Sequence, residues 1–168
     1  MSQQSRPPGM GQGVKQRDII KMSPGEVDEF LHGRRSMSLC TINHDSTIHA
    51  VAMWYGFLEG EIAFETKAKS QKVLNLRRNP TITCLVEDGD VYEELRGVEI
   101  VGTGEIVEDP DRMWEAGVSV FERYMAPYTE EMRPGVEAML HKRVVIKVNP
   151  TRIVSWDHRK LVAASGQR

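Results

Sequence analysis

Short runs in which apolar and polar residues alternate, each bounded by turn-forming residues, most constrain the fold of this chain. A period of two predicts β-strands. The runs lie at residues 36–42, 48–58, 61–66, 81–87, 97–108 and 144–148, with a last extended piece at 152–157. The first three follow one another closely and are joined by tight turns, which favours antiparallel pairing.

Helical patterns lie between and beside these strands. Ser23-Pro24-Gly25-Glu26 has the form of a capping box and opens a short helix. A longer helix is predicted over residues 109–125, and another over residues 130–142, where Pro134 kinks or splits it. Because helices and strands do not alternate as βαβ units, the pattern predicts a mainly β (β+α) fold, a small β-barrel with helices at its ends.

Composition predicts the domain organisation. Residues 1–17 are rich in Gln, Ser, Pro and Gly and are expected to form a disordered N-terminal tail. Residues 18–161 form one domain, and residues 162–168 a flexible tail. No run is apolar and long enough to span a membrane, and the N-terminus has no apolar signal core. We therefore expect a cytoplasmic protein.

Charge and metal-binding residue types exclude some functions. The net charge of −2 argues against a nucleic-acid binder, because binding along a phosphate backbone needs a surplus of Lys and Arg. Cys40 and Cys84 lie in separate apolar runs and are expected to be buried thiols in a reducing compartment. The histidines show no metal-ligand spacing with cysteines or carboxylates, so we expect no metal site.

A basic segment, ETKAKSQKVLNLRRNP, occupies residues 65–80. Its second half predicts a short helix with Ser70 as the N-cap and with an apolar side formed by Val73, Leu74 and Leu76. Lysines crowd the start of this helix, where acidic residues are usually favoured: Lys67, Lys69 and Lys72. Cations and free backbone N–H groups that converge favour an anion, most obviously a phosphate. A solvated basic turn explains the same residues about equally well.

Two further stretches carry candidate binding residues. Met53-Trp54-Tyr55 places three large side chains in a row on a predicted strand, so they point to both faces of the sheet. One face packs the barrel, and the other lines either a flat aromatic pocket or a subunit interface. The tract Ser155-Trp156-Asp157-His158-Arg159-Lys160 is dense in groups that recognise ligands, although a strand edge with a partly buried tryptophan also explains it.

These stretches together resemble a known superfamily. The residues that carry the resemblance are Met53-Trp54-Tyr55, the segments 65–72 and 75–80, and the ending 155–161. Over residues 36–160 the chain resembles the split β-barrel flavin/deazaflavin oxidoreductases, which include pyridoxamine 5′-phosphate oxidase. It is most similar to the actinobacterial branch that binds the deazaflavin coenzyme F420. The chain lacks the Arg-rich C-terminal substrate segment of pyridoxamine 5′-phosphate oxidases, which argues against vitamin B6 oxidation.

The resemblance implies a six-stranded antiparallel split barrel and a homodimer with cofactor sites at its interface. It implies that the cofactor phosphate meets the basic segment, with Lys72 as the best single anchor. The residues implied at or near this phosphate are Thr66, Lys67, Lys69, Ser70, Gln71 and Lys72. The strand through Met53, Trp54 and Tyr55 would run beside the tricyclic ring, and Trp156 and His158 would reach the site from the partner subunit.

The expected function is that of an F420-dependent oxidoreductase, which transfers hydride between the deazaflavin ring and an organic acceptor. In such an enzyme the cofactor carries the chemistry, which fits the lack of a nucleophile or acid–base grouping in the sequence. The candidate proton donors are Tyr55, His158 and water. Two alternatives stay open: an FMN-dependent oxidase or reductase of the same fold, and a non-catalytic F420-binding or storage protein.

Overall fold

The computed structural model describes residues 15–33 and 36–165, and these residues form a seven-stranded antiparallel sheet. The strands are β1 Met37–Ile42, β2 Ile48–Met53, β3 Gly56–Leu58, β4 Glu61–Lys67, β5 Thr81–Asp88, β6 Arg96–Val107 and β7 Arg143–Asp157. The helices are α1 Gln16–Ile20, α2 Pro24–His32, α3 Gln71–Arg78, α4 Pro110–Tyr124, α5 Arg133–Leu140 and α6 Arg159–Ser165. Short 3₁₀ turns cover Tyr92–Glu94 and Glu130–Met132.

The sheet is curled into a half-barrel. Its strand order is β2-β1-β5-β6-β7-β4-β3, so β2 and β3 form the two outer edges. Only Trp54 and Tyr55 separate the end of β2 from the start of β3. Because two residues cannot bridge the width of a flat seven-stranded sheet, the two edges must approach each other at this link. The prediction of a mainly β, antiparallel barrel with flanking helices is confirmed, with seven strands where six were expected.

The long strand β7 pairs with β6 on one side and with β4 on the other. A register shift interrupts the β6–β7 pairing, because Val101 lies opposite Arg152 whereas the next residue, Gly102, lies opposite Pro150. Thr151 is therefore the extra residue of a β-bulge. A Cβ at Gly102 would lie 2.1 Å from the carbonyl oxygen of Asn149, so only glycine fits here.

The main core fills the inside of the half-barrel. It combines the inward side chains of the strands with α2 and α3, and its largest fully buried members include Tyr55, Phe64, Met37 and Leu39. A second, smaller apolar cluster lies where α4 and α5 cover the sheet, around Ala63, Val107, Ala116 and Val145. Burial of this apolar surface is the dominant stabilising contribution to the fold.

Arg123 near the end of α4 ties three parts of the chain together. Its guanidinium donates to the carbonyl oxygens of Leu31, His32 and Gly33 at the end of α2, over 2.7–3.2 Å. It also donates to the carbonyl oxygen of Tyr55 at 2.8 Å and lies over the ring of that residue. These bonds satisfy helix-end carbonyls that would otherwise lack partners.

Several element boundaries differ from those expected. The predicted strand at residues 48–58 is broken at Trp54 and Tyr55, because the chain crosses there from one sheet edge to the other. The two pieces predicted at 144–148 and 152–157 are one strand, which continues through the bulge. Pro134 does not kink a helix, because it lies in the first turn of α5, where the missing N–H has no cost.

The predicted tails also differ from the structure. Gln16 and Arg17, assigned to the N-terminal tail, lie in α1, and α6 extends to Ser165, beyond the expected domain end at Leu161. Residues 1–14 and 166–168 of those tails lie outside the described residues. Within the described part, no helix is long and apolar enough to cross a membrane.

Candidate functional site

The basic segment lies where β4 ends and α3 begins. Lys67 is the last residue of β4, and Ser70 is the N-cap of α3, as predicted. The hydroxyl of Ser70 makes no capping bond to the helix and lies 3.3 Å from the hydroxyl of Thr66. Of the expected apolar side of α3, Val73 and Leu76 are buried, but Leu74 is half exposed. The start of α3 therefore presents two hydroxyl groups beside the lysines.

A second basic stretch, not singled out from the sequence, lies beside the first. Lys67 pairs with Arg143 across the β4–β7 ladder, and Ala68 N–H donates to the carbonyl oxygen of Lys142 at 3.1 Å. Lys142 has a φ of 56°, in the left-handed region that is unusual for a non-glycine residue. This conformation belongs to the tight turn that links α5 to β7.

The two stretches border one cleft of about 750 Å³, which we call the basic cleft. Its lining residues are Lys67, Ala68, Lys69, Ala138, His141, Lys142 and Arg143. Within the described residues, Lys67, Lys69 and Lys142 form no ion pair, so acidic groups do not balance this charge. Like charges held together without counter-charges favour the binding of an anion.

Lys72 lies at the edge of this cleft. Its ammonium group donates to the hydroxyl of Thr66 at 3.2 Å. Partial burial and the nearby guanidinium of Arg143 lower the pKa of Lys72. Both effects disfavour the charged ammonium in the isolated chain, and the opposite charge of a bound anion would offset them. Lys72 thus has the environment expected of a residue that binds an anion.

Asn75 holds α3 in place against β1. Its side chain is fully buried, and its amide donates to Thr41 Oγ1 at 3.0 Å and to Asn43 Oδ1 at 2.9 Å. Gln71, a predicted phosphate ligand, donates to Asn75 Oδ1 at 2.8 Å. Arg78 adds a 2.6 Å bond to the carbonyl oxygen of Ile42. This buried hydrogen-bond network fixes the start of α3 relative to the end of β1.

Glu65 is a buried acidic residue of β4 beside Arg143, which lines the cleft. Its side chain is 10% exposed, and Oε1 lies 4.0 Å from Arg143 Nη1. Oε2 is buried and has no hydrogen-bond partner within the described residues. Burial raises the pKa of this carboxyl group above its ordinary value, opposed first by a hydrogen bond from the backbone of Glu65 itself and then by the charge of Arg143.

The three residues Met53, Trp54 and Tyr55 have different surroundings. Met53 is partly buried against the core, whereas Trp54 is 49% exposed and stacks on Tyr124, with parallel rings 4.6 Å apart. Tyr55 is fully buried, and its hydroxyl donates to the carbonyl oxygen of Leu31 at 2.6 Å. This contact argues against Tyr55 as a proton donor. Trp54 remains available at the surface, as either a pocket wall or an interface would require.

The C-terminal tract lies far from the basic cleft within one chain. Arg143 begins β7 and Asp157 ends it, so roughly 45 Å of strand contour separates them at about 3.3 Å per residue. Trp156 packs directly on Gly97, and the Nδ1 atom of His158 lies 2.9 Å from the carbonyl oxygen of Tyr92. A single chain therefore does not bring Trp156 and His158 to the basic cleft.

The cysteine and histidine expectations concern other parts of the fold. Cys84 is buried, and burial raises its pKa to about 12, whereas Cys40 is only partly buried. His49 lies half buried on the edge strand β2, opposite Thr41. Across residues 15–33 and 36–165, the His, Cys, Asp and Glu side chains form no group that could hold a metal ion.

An antiparallel sheet curled into a half-barrel with flanking helices is the fold of the split-barrel proteins related to pyridoxamine 5′-phosphate oxidase. The model of the pyridoxamine 5′-phosphate oxidase family matches residues 23–157, and the chain therefore belongs to this family. No curated protein matches the chain at a significant level.

Solved structures support the same assignment. A conserved hypothetical protein, Rv2991 from Mycobacterium tuberculosis, is 50% identical, with a TM-score of 0.85 over 89% of this chain and 93% of that one. An F420 reductase is 31% identical, with a TM-score of 0.59 over 75% of this chain and 94% of that one. A putative pyridoxamine 5′-phosphate oxidase from Listeria innocua, 20% identical over 78% of this chain and 95% of that one, shares the fold with a TM-score of 0.56.

Proposed function

We propose that this protein is an F420-dependent oxidoreductase, in which the basic cleft holds the phosphate of coenzyme F420. The observation that carries the proposal is the convergence of Lys67, Lys72 and Arg143 at the start of α3. The 31% identity to a protein described as an F420 reductase favours the deazaflavin over other phosphate-bearing cofactors. An oxidoreductase role also fits the family to which the chain belongs.

The residues of the basic cleft fit a phosphate group. Charge-assisted hydrogen bonds from Lys72 and Arg143 would be joined by the hydroxyls of Thr66 and Ser70, which already face each other. The backbone start of α3, which no side chain caps, adds the partial positive charge of a helix N-terminus. Lys67 and Lys69 contribute a longer-range field that attracts the anion to the cleft. Gln71 acts indirectly, because its amide is bonded to Asn75.

When bound, the cofactor supplies a hydride from C5 of its ring to an organic acceptor. The protein has three tasks: it binds the phosphate, orients the ring and excludes water. The stacked pair Trp54 and Tyr124 offers a flat apolar surface for the ring-orienting task. The proton for the acceptor comes from water or His158. Tyr55 is not the donor, because its hydroxyl donates to the carbonyl oxygen of Leu31 in the core.

We further propose that two copies form a homodimer with a cofactor site at each interface. Proteins of this fold are typically dimers. Trp156 and His158 lie at the opposite end of β7 from the basic cleft, so they contribute to a site only if a second copy presents them. Ile48 on β2, at 62% exposure, and Trp54 just after β2, at 49%, provide apolar surface for such a contact. Residence in the cytoplasm remains a prediction.

The test is a fluorescence titration of the purified protein with F420, run in parallel with FMN. We expect micromolar or tighter binding of F420, with FMN much weaker. Preference for FMN would move the protein to an FMN-dependent oxidase or reductase, and binding of neither would leave the basic cleft without a cofactor role. If F420 binds, an acceptor screen with the reduced cofactor follows, because turnover separates an enzyme from a storage protein.

Sedimentation equilibrium tests the dimer separately. A dimer at micromolar concentration is expected, and Trp54→Ala should weaken it if Trp54 lies in the contact. A strictly monomeric protein that still binds F420 would contradict the shared site and leave the cofactor assignment intact.

A further inference from the structure

Glu65 is a buried acidic residue directly behind a residue that lines the basic cleft, Arg143. It lies on β4 opposite Val145, and two residues further along the ladder, on the same face, Lys67 lies opposite Arg143. Its side chain is nine-tenths buried, and one carboxylate oxygen has no partner within the described residues. A buried carboxylate normally requires hydrogen bonds to offset the cost of leaving water. Among the described residues, the cation within 4.0 Å of Glu65 is Arg143, which itself lines the cleft.

The charged groups on the elements around Glu65 divide into two sets. Those that line the basic cleft are Lys67, Lys69, His141, Lys142 and Arg143, and Lys72 lies near enough to Arg143 for the two charges to interact. Those already paired elsewhere are Lys147 on β7 with Glu59, Arg112 on α4 with Glu59 and Glu105, and Glu137 on α5 with Arg133. Arg143 is therefore the cation on which an ionised Glu65 chiefly depends.

We propose that Glu65 couples anion binding in the basic cleft to the uptake of one proton. Without an anion, ionised Glu65 is stabilised by Arg143. When an anion occupies the cleft, it draws the charge of Arg143 and adds its own negative charge nearby. The Glu65 carboxylate then takes a proton from solvent and becomes a neutral carboxylic acid, with no other bond made or broken. The inference rests on the anion-binding part of the proposed function.

The direction of the coupling follows from linkage. An anion close to a carboxylate favours the protonated form, so the protonated form must in turn favour the anion. Burial already raises the pKa of Glu65, which places its titration nearer to neutral pH than that of an exposed glutamate. Anion affinity should therefore increase as the pH falls, by up to about tenfold per pH unit for one linked proton.

The experiment uses sulfate, because sulfate stays doubly charged across the range and contributes no titration of its own. Sulfate affinity is measured by NMR chemical-shift titration of the full chain between pH 5 and 8.5. We expect the wild-type affinity to rise several-fold as the pH falls. Glu65→Gln, which has the same shape but cannot ionise, should bind sulfate with little pH dependence and more tightly than wild type at pH 8.

His141 is the main competitor, because an anion would also raise the charge of a nearby imidazole. His141→Gln should keep the pH dependence that Glu65→Gln loses. The opposite result, in which the dependence disappears with His141 and persists without Glu65, would overturn the proposal. So would the absence of saturable sulfate binding.

A direct measurement on the wild-type protein guards against a variant that does not fold. The side-chain carboxyl carbon of Glu65 is followed by ¹³C NMR over the same pH range, with and without saturating sulfate. We expect the midpoint of its titration to move to higher pH when sulfate is present. A midpoint near 4.5 that sulfate does not move would contradict the coupling.

Failure of the proton coupling can be distinguished from failure of the proposed F420 function. Tight F420 binding with no proton uptake, measured by calorimetry in two buffers of different ionisation enthalpy, would overturn the coupling alone. Proton-linked sulfate binding without any F420 binding would support the coupling between anion binding and protonation of Glu65, and it would contradict F420 as the cofactor.

Discussion

The charged side chains at the two ends of β7 are arranged differently. At the Asp157 end, acids and bases are paired: Asp157 with Arg159, Arg96 with Asp88, and Lys160 with Glu26. At the Arg143 end, cations from two separate segments line one cleft, and in the described part of the chain Arg143 alone among them pairs with an acid, the buried Glu65. Paired charges stabilise the fold, whereas cations without partners oppose it and indicate a ligand. One strand therefore carries both a structural and a functional arrangement of charge.

The largest expected effect concerns the paired end. Asp157 is buried, and its carboxylate accepts hydrogen bonds from the backbone N–H and the guanidinium of Arg159. Asp157→Asn removes the charge that these donors require, and we expect it to lower the free energy of unfolding by about 2–3 kcal/mol. Urea denaturation at pH 7 measures this loss. Anion binding in the basic cleft should not change.

The loss should depend on pH in a defined direction. The guanidinium of Arg159 lowers the pKa of Asp157 below its ordinary value of 3.8, so the ionised carboxylate stabilises the fold above that pH and less as the pH falls through the folded pKa. Glu99→Gln is the matched control, because Glu99 lies 3.8 Å from a largely exposed Arg152. It should change stability by less than about 0.5 kcal/mol. Equal losses in both variants would remove the distinction between the two ends.

The second effect concerns the cation at the edge of the basic cleft. Lys72→Ala should weaken cofactor binding by about 1.5–3 kcal/mol, the contribution of a charge-assisted hydrogen bond. Because burial and Arg143 disfavour its charge, removal of Lys72 should leave the free energy of unfolding unchanged within about 0.5 kcal/mol. Fluorescence titration and urea denaturation measure the two quantities.

Lys21→Ala serves as the control, because Lys21 is an exposed lysine between α1 and α2. Its dissociation constant for the cofactor should match that of the wild type. An unchanged constant in Lys72→Ala would exclude Lys72 as the anchor.

The smallest expected effect concerns the backbone conformation of Lys142, just before β7 begins. Lys142 has a positive φ, which costs a non-glycine residue about 1–2 kcal/mol, whereas glycine adopts it freely but is more flexible when unfolded. Lys142→Gly should therefore raise the free energy of unfolding by about 0.5 kcal/mol, and Lys142→Ala should not. Both variants lose the same charge and should weaken anion binding to a similar, modest degree. Stabilisation by alanine as well would show that charge repulsion, not φ, is relieved.

Sequence and structure agree best where the information is local. The basic segment at residues 65–80, the N-cap position of Ser70 and the strand pattern were readable because each depends on residues close together in the chain. The other half of the cleft was not predicted. His141, Lys142 and Arg143 join it only because β4 pairs with β7 in the register that places Lys67 opposite Arg143. The one sequence feature that could have indicated these residues is the run of three basic side chains directly before an apolar strand.

The remaining differences have tertiary causes. The break at Trp54 and Tyr55 does not interrupt the strand-like pattern of the sequence, and it occurs because the half-barrel brings its two edges together there. Tyr55 appeared to be a site residue because it neighbours Trp54, yet the link sends the two side chains to different environments, one to the core and one to the surface. Neighbours in the chain share a site only when the backbone between them is regular.

The bulge at Thr151 divides β7 into two phases. Before it, Val144, Ile146 and Val148 point into the main core, and after it the alternation is shifted by one residue relative to β6. Deletion of Thr151 alone would restore an even ladder and keep each cross-strand pair on its present face, but it would remove the local bend and added twist that the bulge gives the strand. The extra residue thus contributes to the curvature of β7, and natural variation should substitute Thr151 more readily than delete it.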